Sequence, residues 1–193
     1  MPATRHVTEH LNTNLLAERL QTLADRTARG RHVHGLVLAV AGGDGALSRA
    51  AGGDADLDAP YFIASISKMY TAAIFGQLVD QRQLRYDDLV VDLLPDLDLD
   101  GLHRLDGIDS TSHVRVRHLL DQTSGIADYF IAGGIEKDLA AGDDRSYRIA
   151  DAVDLARQAG AEFAPGDRDG RKAAYSDTNY LLLPAIIAAV TGD

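Results

Sequence analysis

The chain has 193 residues and a formal net charge of −10, and it contains no cysteine. This length suits one compact domain, or one domain with a large excursion. The acidic balance argues against binding to nucleic acid, which requires a basic surface. The absence of thiols excludes disulfides, a thiolate nucleophile and cysteine-ligated metals.

The first thirty residues are rich in charged side chains and contain no apolar run of signal-peptide length. No other stretch of the sequence reaches the length of a membrane span. The sequence therefore predicts a cytoplasmic protein that has neither a membrane nor a nucleic acid among its partners.

The first third of the chain predicts a helix followed by a hairpin. Leucines recur near helical spacing over residues 11–29, and Gly30 marks the end of that helix. Residues 33–41 have β character, and a glycine-rich turn leads to a short return strand through Leu47. Residues 52–58 are predicted as a loop. We assign residues 1–64 to this N-terminal helix and sheet hairpin.

The remainder, residues 65–193, is predicted as a nucleophile helix and a helical subdomain. Apolar side chains cover most of the circumference of residues 67–83, which is typical of a buried helix. A polar loop is predicted over residues 96–112. Further helices are predicted at residues 87–94, 114–122, 149–158 and 177–191.

Ser65 and Lys68 have the spacing of a nucleophile and its activating partner. A serine hydroxyl needs a neighbouring base, and positions i and i+3 share one helix face. The start of a helix offers free N–H groups and partial positive charge, and together with burial these favour a neutral lysine amine. The alternative is that Ser65 caps the helix and Lys68 is solvated.

Tyr175 and Asp177 form a second candidate segment. Tyr175 is a candidate acid/base that passes a proton between Ser65, Lys68 and a leaving group. Asp177 is a candidate N-cap of the last helix, a role compatible with facing a cleft. The alternative for Tyr175 is a half-buried aromatic that precedes a helix.

These segments, with several others in the same order, resemble the serine β-lactamase and penicillin-binding-protein superfamily, and most of all its class C-like branch, which also holds esterases and D-amino-acid peptidases. The similar segments are residues 62–68 (FIASISK), 71–73 (TAA), 83–88 (QLRYDD), 94–95 (LP), 119–126 (LLDQTSGI), 163–166 (FAPG) and 175–182 (YSDTNYLL).

The resemblance implies an α+β fold in which an antiparallel sheet flanked by helices lies beside a helical subdomain. It implies that Ser65 is acylated, that Lys68 is its base partner, and that Tyr175 is a second acid/base. The backbone N–H of Ser65 is one implied oxyanion donor. The implied substrate is a small-molecule ester or amide, and neither a metal nor an organic cofactor is implied.

Three departures from the family pattern affect the prediction. Asp177 stands where the commoner pattern has asparagine, which favours esterase-like chemistry. Gln122 replaces a histidine, for which we predict no catalytic consequence. The later strand motif of the K-T-G or H-x-G kind has no counterpart in the 193 residues, and in the family it supplies a second oxyanion donor and a wall of the cleft.

We therefore expect the chain to lack the C-terminal strands of the family fold. We expect it to expose a sheet edge and the apolar faces of its first and last helices. A complementary C-terminal chain or an oligomer would cover that edge, and the isolated chain would be poorly active. The alternative function is a non-catalytic scaffold or binding module.

Other polar residues carry weaker predictions. Asp177, Asp128 and Tyr129 are candidate substrate-binding residues, and packing of a loop is the alternative for Asp128 and Tyr129. His32 and His34 are predicted to alternate in a strand, too few for a metal site. His118 is predicted on a helix surface, and the aspartates at positions 96, 98 and 100 are predicted to form a solvated acidic loop rather than a calcium site.

Overall fold

The computed structural model describes residues 13–43, 45–132, 134–143, 145–166 and 172–192. The chain divides into two compact units, of which the first ends at Phe62 and the second begins at Ile63. Each unit has an apolar core of its own. The candidate catalytic residues all belong to the second unit.

The first unit contains the predicted helix and hairpin. Helix α1 spans Thr13–Ala28, and the antiparallel strands β1 and β2 span Gly35–Ala41 and Leu47–Gly53. Leu20 and Ala24 of α1 are buried together with Ala50 of β2. The predicted start of the helix at residue 11 lies outside the described residues.

Gly52 lies inside β2, so the prediction that the loop begins at this residue is wrong. A Cβ atom at this position would lie 2.5 Å from the carbonyl oxygen of Ala24 in α1. Only glycine permits this close approach of helix and strand. The return strand is therefore longer than the glycine pair suggests, because the missing side chain is what allows α1 to pack on it.

The second unit is mainly helical. Its helices are α2 (Ser67–Asp80), α3 (Val90–Leu93), α4 (Val116–Leu120), α5 (Ile135–Ala140), α6 (Ile149–Ala159) and α7 (Asp177–Thr191), with a small hairpin of β3 (Arg104–Leu105) and β4 (Ile108–Asp109). No helix in the described ranges is long and apolar enough to cross a membrane.

Helix α7 lies at the centre of this unit. Leu182, Leu183 and Ile186 are fully buried, because α2, α3, α4 and α6 all contact α7. The expectation that the last helix exposes its apolar face is therefore wrong for these three residues. The exposure expected of the first helix is found at Leu15 and Leu23.

Helix α2 is less buried than its composition predicts. Phe75 and Leu78 are buried in the core, but Met69 is 70% exposed and Tyr70 is 65% exposed. The prediction of a buried helix is therefore wrong for this side of α2. Composition reports how apolar the whole circumference is, whereas burial depends on which side a neighbouring element covers.

Two shorter regions also differ from the sequence prediction. Residues 96–112 contain the β3–β4 hairpin, and Leu99, Leu102 and His103 are buried. The acidic side chains of this stretch favour the prediction of a solvated loop, so the sequence does not indicate that its leucines are buried. Helix α5 has no counterpart in the sequence prediction, because it has only six residues and short helices carry little periodic signal.

Candidate active site

Ser65 lies in a 3₁₀ turn, Ala64–Ile66, directly before α2. Ala64 has a left-handed backbone with φ of 46°, a conformation that costs on the order of 1–3 kcal/mol in a residue other than glycine. The Ser67 hydroxyl donates a hydrogen bond of 2.7 Å to the Ala64 carbonyl and stabilises this turn. The turn presents the Ser65 hydroxyl at an exposed position.

Lys68 lies in the first turn of α2 and points toward the serine. Its Nζ atom donates to Ser65 Oγ over 3.2 Å and to Asp177 Oδ1 over 2.6 Å. The Lys68 side chain is 18% exposed and that of Asp177 is 31% exposed. This ion pair is thus partly screened from water, which strengthens it relative to a surface pair.

Tyr175 completes the cluster. Its hydroxyl lies 2.6 Å from Ser65 Oγ and 3.2 Å from Asp177 Oδ1. The structure thus joins Ser65, Lys68, Asp177 and Tyr175 in a closed ring of hydrogen bonds, although Ser65 and Tyr175 are 110 residues apart in the sequence.

Asp177 does not cap α7, so that sequence prediction is wrong. Ser176 is the N-cap residue, and Asp177 is the first residue of the helix. The Asp177 backbone N–H donates to Asp128 Oδ2 over 3.2 Å. Asp128 thus supplies the carboxylate at this helix end, which leaves the Asp177 side chain free to bind Lys68.

The charge of Lys68 differs from the sequence expectation. Partial burial by itself lowers the pKa of Lys68, but its hydrogen bonds with Asp177 and Tyr175 and their charges raise it, and the resulting pKa lies above the ordinary value of 10.5. Lys68 is therefore an ammonium ion at neutral pH. The neutral amine expected from burial and the helix start is overridden by a counter-ion 2.6 Å away.

Two further tyrosines surround the lysine. Lys68, Tyr129, Asp177 and Tyr180 all line a cavity of about 390 Å³, and Lys68 Nζ lies 5.4 Å from the centre of the Tyr180 ring. Burial raises the pKa of both Tyr129 and Tyr180, so both are neutral phenols at neutral pH. Sequence reasoning missed Tyr180, although its i+3 spacing from Asp177 on one helix face is a usable signal.

Gln122 holds the segment that carries Tyr175. Its Oε1 atom accepts from the Ser176 N–H over 3.0 Å and from Asn179 Nδ2 over 2.6 Å. Asn179 Oδ1 in turn accepts from the Ser124 hydroxyl over 2.6 Å. The departure from histidine at this position therefore has a structural use, which the sequence alone did not reveal.

The two predicted substrate-binding residues at positions 128 and 129 have different surroundings. Asp128 is 6% exposed, and its Oδ1 atom accepts from the backbone N–H groups of Phe130 and Ile131. This arrangement favours the packing alternative for Asp128. Tyr129 and Asp177 line the cavity beside Lys68, so a contact with substrate stays a prediction for these two residues.

The histidines also differ from their predictions. His118 is buried rather than on the surface: its Nδ1 atom accepts from the Arg115 N–H over 3.2 Å, and burial lowers the pKa of its imidazole. His32 and His34 precede β1 instead of alternating within it. The described residues contain no group of three or more His, Asp or Glu side chains that could hold a metal ion.

Comparison with known proteins identifies relatives of this chain. The Beta-lactamase family model matches residues 14–193. Penicillin-binding protein 4 of Amycolatopsis lactamdurans is 33% identical over 168 residues, which are 83% of this chain and 39% of that protein.

Solved structures agree with this match. A D-stereospecific amidohydrolase from Streptomyces sp. superposes with a TM-score of 0.72 at 26% identity, covering 94% of this chain and 50% of that one. The D-amino acid amidase from Ochrobactrum anthropi SV3, complexed with D-phenylalanine, gives a TM-score of 0.68 at 26% identity, covering 92% of this chain and 46% of that one.

The chain thus spans 39% of the length of the curated relative, 50% of the Streptomyces structure and 46% of the amidase structure. The α+β fold of the β-lactamase type and the family resemblance predicted from the sequence are confirmed. The chain belongs to the Beta-lactamase family of serine hydrolases.

Proposed function

We propose that this chain carries the nucleophile and the proton-transfer groups of a class C-like serine hydrolase, which cleaves an ester or amide through an acyl-serine at Ser65. The observation that carries the proposal is the position of Ser65 Oγ, 2.6 Å from the Tyr175 hydroxyl and 3.2 Å from Lys68 Nζ. A serine with one candidate proton acceptor and one cationic hydrogen-bond donor at these distances meets the geometric requirement for an activated nucleophile.

The charges in the cluster distribute the roles. Lys68 is cationic, so it donates to Ser65 Oγ and stabilises the negative charge that develops there during attack. The Ser65 proton leaves toward Tyr175, whose oxygen is the nearer of the two partners. The backbone N–H of Ser65 would donate to the oxyanion, and Tyr175 would return a proton to the leaving group.

A small acyl ester or amide is the substrate class that we propose. Two structural neighbours, the D-stereospecific amidohydrolase and the D-amino acid amidase, support an amide of modest size. Asp177 in place of the family's commoner asparagine supports an ester, since an amide side chain is missing from the substrate contacts. Lys68 and Asp177, but not Ser65 or Tyr175, line a cavity of about 390 Å³, a volume in the range of small-molecule sites.

We also propose that a complementary chain segment or an oligomer partner completes the cleft. The exposed apolar side chains of α2, such as Met69 and Tyr70, support this proposal, because large exposed apolar side chains in one place are typical of interaction surfaces.

A labelled fluorophosphonate tests the nucleophile. We expect the protein to label on Ser65 and the Ser65→Ala variant to lose the label. The Ser112→Ala variant, which removes another exposed serine of the same unit, serves as the control and should label normally. The absence of labelling in the wild-type protein, or equal labelling of Ser65→Ala, would contradict the assignment and favour a non-catalytic scaffold.

A further inference from the structure

We propose that Asp177 is the terminal proton acceptor of a relay that runs from Ser65 through Tyr175. The inference rests on the proposed function and adds to it the destination of the proton. It concerns a carboxylate that stands where the family's commoner pattern has an amide, and an amide oxygen is a far weaker base than a carboxylate.

The hydrogen bonds of the cluster are consistent with one direction of donation. Lys68 has only donors, and it donates to both Ser65 Oγ and Asp177 Oδ1. The Ser65 hydrogen then points to the Tyr175 oxygen, and the Tyr175 hydrogen points to Asp177 Oδ1, 3.2 Å away. In the opposite direction Tyr175 would donate to Ser65 Oγ, and the Ser65 hydrogen would have no acceptor among the described contacts of that hydroxyl.

The chemical balance requires an acceptor beyond Tyr175. A neutral phenol that takes the serine proton must release its own proton, since a protonated phenol is too acidic to persist. Lys68 cannot take that proton while it is an ammonium ion. Asp177 Oδ1 accepts hydrogen bonds from both Tyr175 and Lys68, and as a carboxylate it has the free electron pair.

The step can then be written with every atom accounted for. Ser65 Oγ bonds to the substrate carbonyl carbon while its proton moves to the Tyr175 oxygen and the Tyr175 proton moves to Asp177 Oδ1. When the bond to the leaving group breaks, Asp177 returns a proton to Tyr175, and Tyr175 protonates the leaving nitrogen or oxygen. Water later attacks the carbonyl carbon of the acyl-serine and gives its proton through Tyr175 to Asp177. When the bond between that carbon and Ser65 Oγ breaks, the proton returns through Tyr175 to Ser65 Oγ, which releases the acid and restores the serine hydroxyl.

The groups around the relay do not offer a competing carboxylate. The Asp128 carboxylate accepts from the backbone N–H groups of Phe130, Ile131 and Asp177. Tyr129 and Tyr180 face Lys68 as neutral phenols, because burial raises the pKa of each. Of the carboxylates in the described residues, Asp177 is the one in ion-pair contact with Lys68.

The test is the pH dependence of Ser65 acylation by p-nitrophenyl acetate in the Asp177→Asn variant. Asparagine preserves shape but removes the basic oxygen, so we expect the rate constant at pH 7 to fall by about 100- to 10,000-fold. We expect the rate to recover as the pH rises, because Lys68 without its counter-ion loses a proton more readily and becomes an alternative base. The Asp80→Asn variant, which removes an exposed carboxylate at the end of α2, should keep the wild-type profile.

Two outcomes of that experiment would overturn the relay. One is an unchanged rate in Asp177→Asn. The other is a rate that falls by the same factor at every pH, which would indicate a structural role only.

An NMR titration of the lysine side chains separates this inference from the proposed function. The sequence has three lysines, and Lys137 and Lys172 are exposed references for Lys68. In Asp177→Asn we expect the Lys68 midpoint to move to lower pH while the reference midpoints stay in place. An unmoved Lys68 midpoint in a protein that labels on Ser65 would refute the relay and leave the proposed function standing. An unlabelled wild type would refute the proposed function and the relay with it, and a moved midpoint would then support only the ion pair of Lys68 with Asp177.

Discussion

At the scale of single residues, the main finding is the partner of Lys68. The i, i+3 spacing of Ser65 and Lys68 is local and could be read from the sequence, as could the separate tyrosine segment. The contact of Lys68 with Asp177 joins residues 109 positions apart, and no local pattern predicts it. A buried lysine alone would tend to lose its proton, so missing this contact reversed the expected charge.

His118 gives a testable prediction at this scale. Burial lowers the pKa of His118 below its ordinary value of 6.5, so the folded state favours the neutral imidazole. The stabilisation is present above pH 6.5 and is lost as the pH falls through the lower pKa of the folded state. We expect the free energy of unfolding to fall more between pH 7 and pH 5 in the wild type than in His118→Asn.

In the His118→Asn variant, asparagine offers an acceptor oxygen to the Arg115 N–H in place of Nδ1 but does not titrate in this range. Urea denaturation at several pH values measures the difference. Equal pH dependence of the two proteins would contradict the prediction.

At the scale of elements, the position of Tyr175 depends on the contact between the segment before α7 and the segment after α4. Gln122 makes most of this contact. Its Oε1 atom accepts from the Ser176 N–H and from Asn179 Nδ2, and its backbone oxygen accepts from the Ala174 N–H. These three residues flank Tyr175 on both sides. The geometry at Ser65 is therefore set partly by a residue that does not touch it.

We predict that Gln122→Leu destabilises the protein and slows labelling of Ser65. Leucine keeps a similar volume but leaves two donors, on the buried residues Ser176 and Asn179, without their acceptor. Each such donor costs about 1–3 kcal/mol. Urea denaturation and fluorophosphonate labelling measure the two effects.

The control for this prediction is Gln158→Leu, which changes an exposed glutamine near the end of α6. It should alter neither the free energy of unfolding nor the labelling rate. A Gln122→Leu variant as stable as the wild type and labelled as fast would show that this contact does not position Tyr175.

At the scale of the whole molecule, the sequence predicted the family and the order of the main elements better than it predicted exposure. Long elements such as α1, α2 and α7 agree with the sequence prediction, α1 because its leucines recur at helical spacing and α2 because apolar side chains cover most of its circumference. The burial of α7 and the exposure of Met69 on α2 do not agree with it, because both depend on neighbours distant in the sequence. The prediction of a loop at Gly52 is wrong because glycine at this position allows a close contact between helix and strand.

The family and the site together lead to one central claim, that Ser65 is the residue acylated by substrate. It has two supports: the Beta-lactamase family match over residues 14–193 and the distances from Ser65 Oγ to Tyr175 and Lys68. The four-residue cluster belongs to the second unit alone. Because a small activated ester can acylate a reactive serine, this claim can be tested without knowledge of the natural substrate.

The most direct measurement is peptide mapping by mass spectrometry after brief reaction with p-nitrophenyl acetate and acid quench. The account predicts one acetyl group on the peptide that contains Ser65, located on the serine oxygen, and no such adduct in the Ser65→Ala variant. An unmodified Ser65 peptide, or the same acetylation in Ser65→Ala, would contradict it.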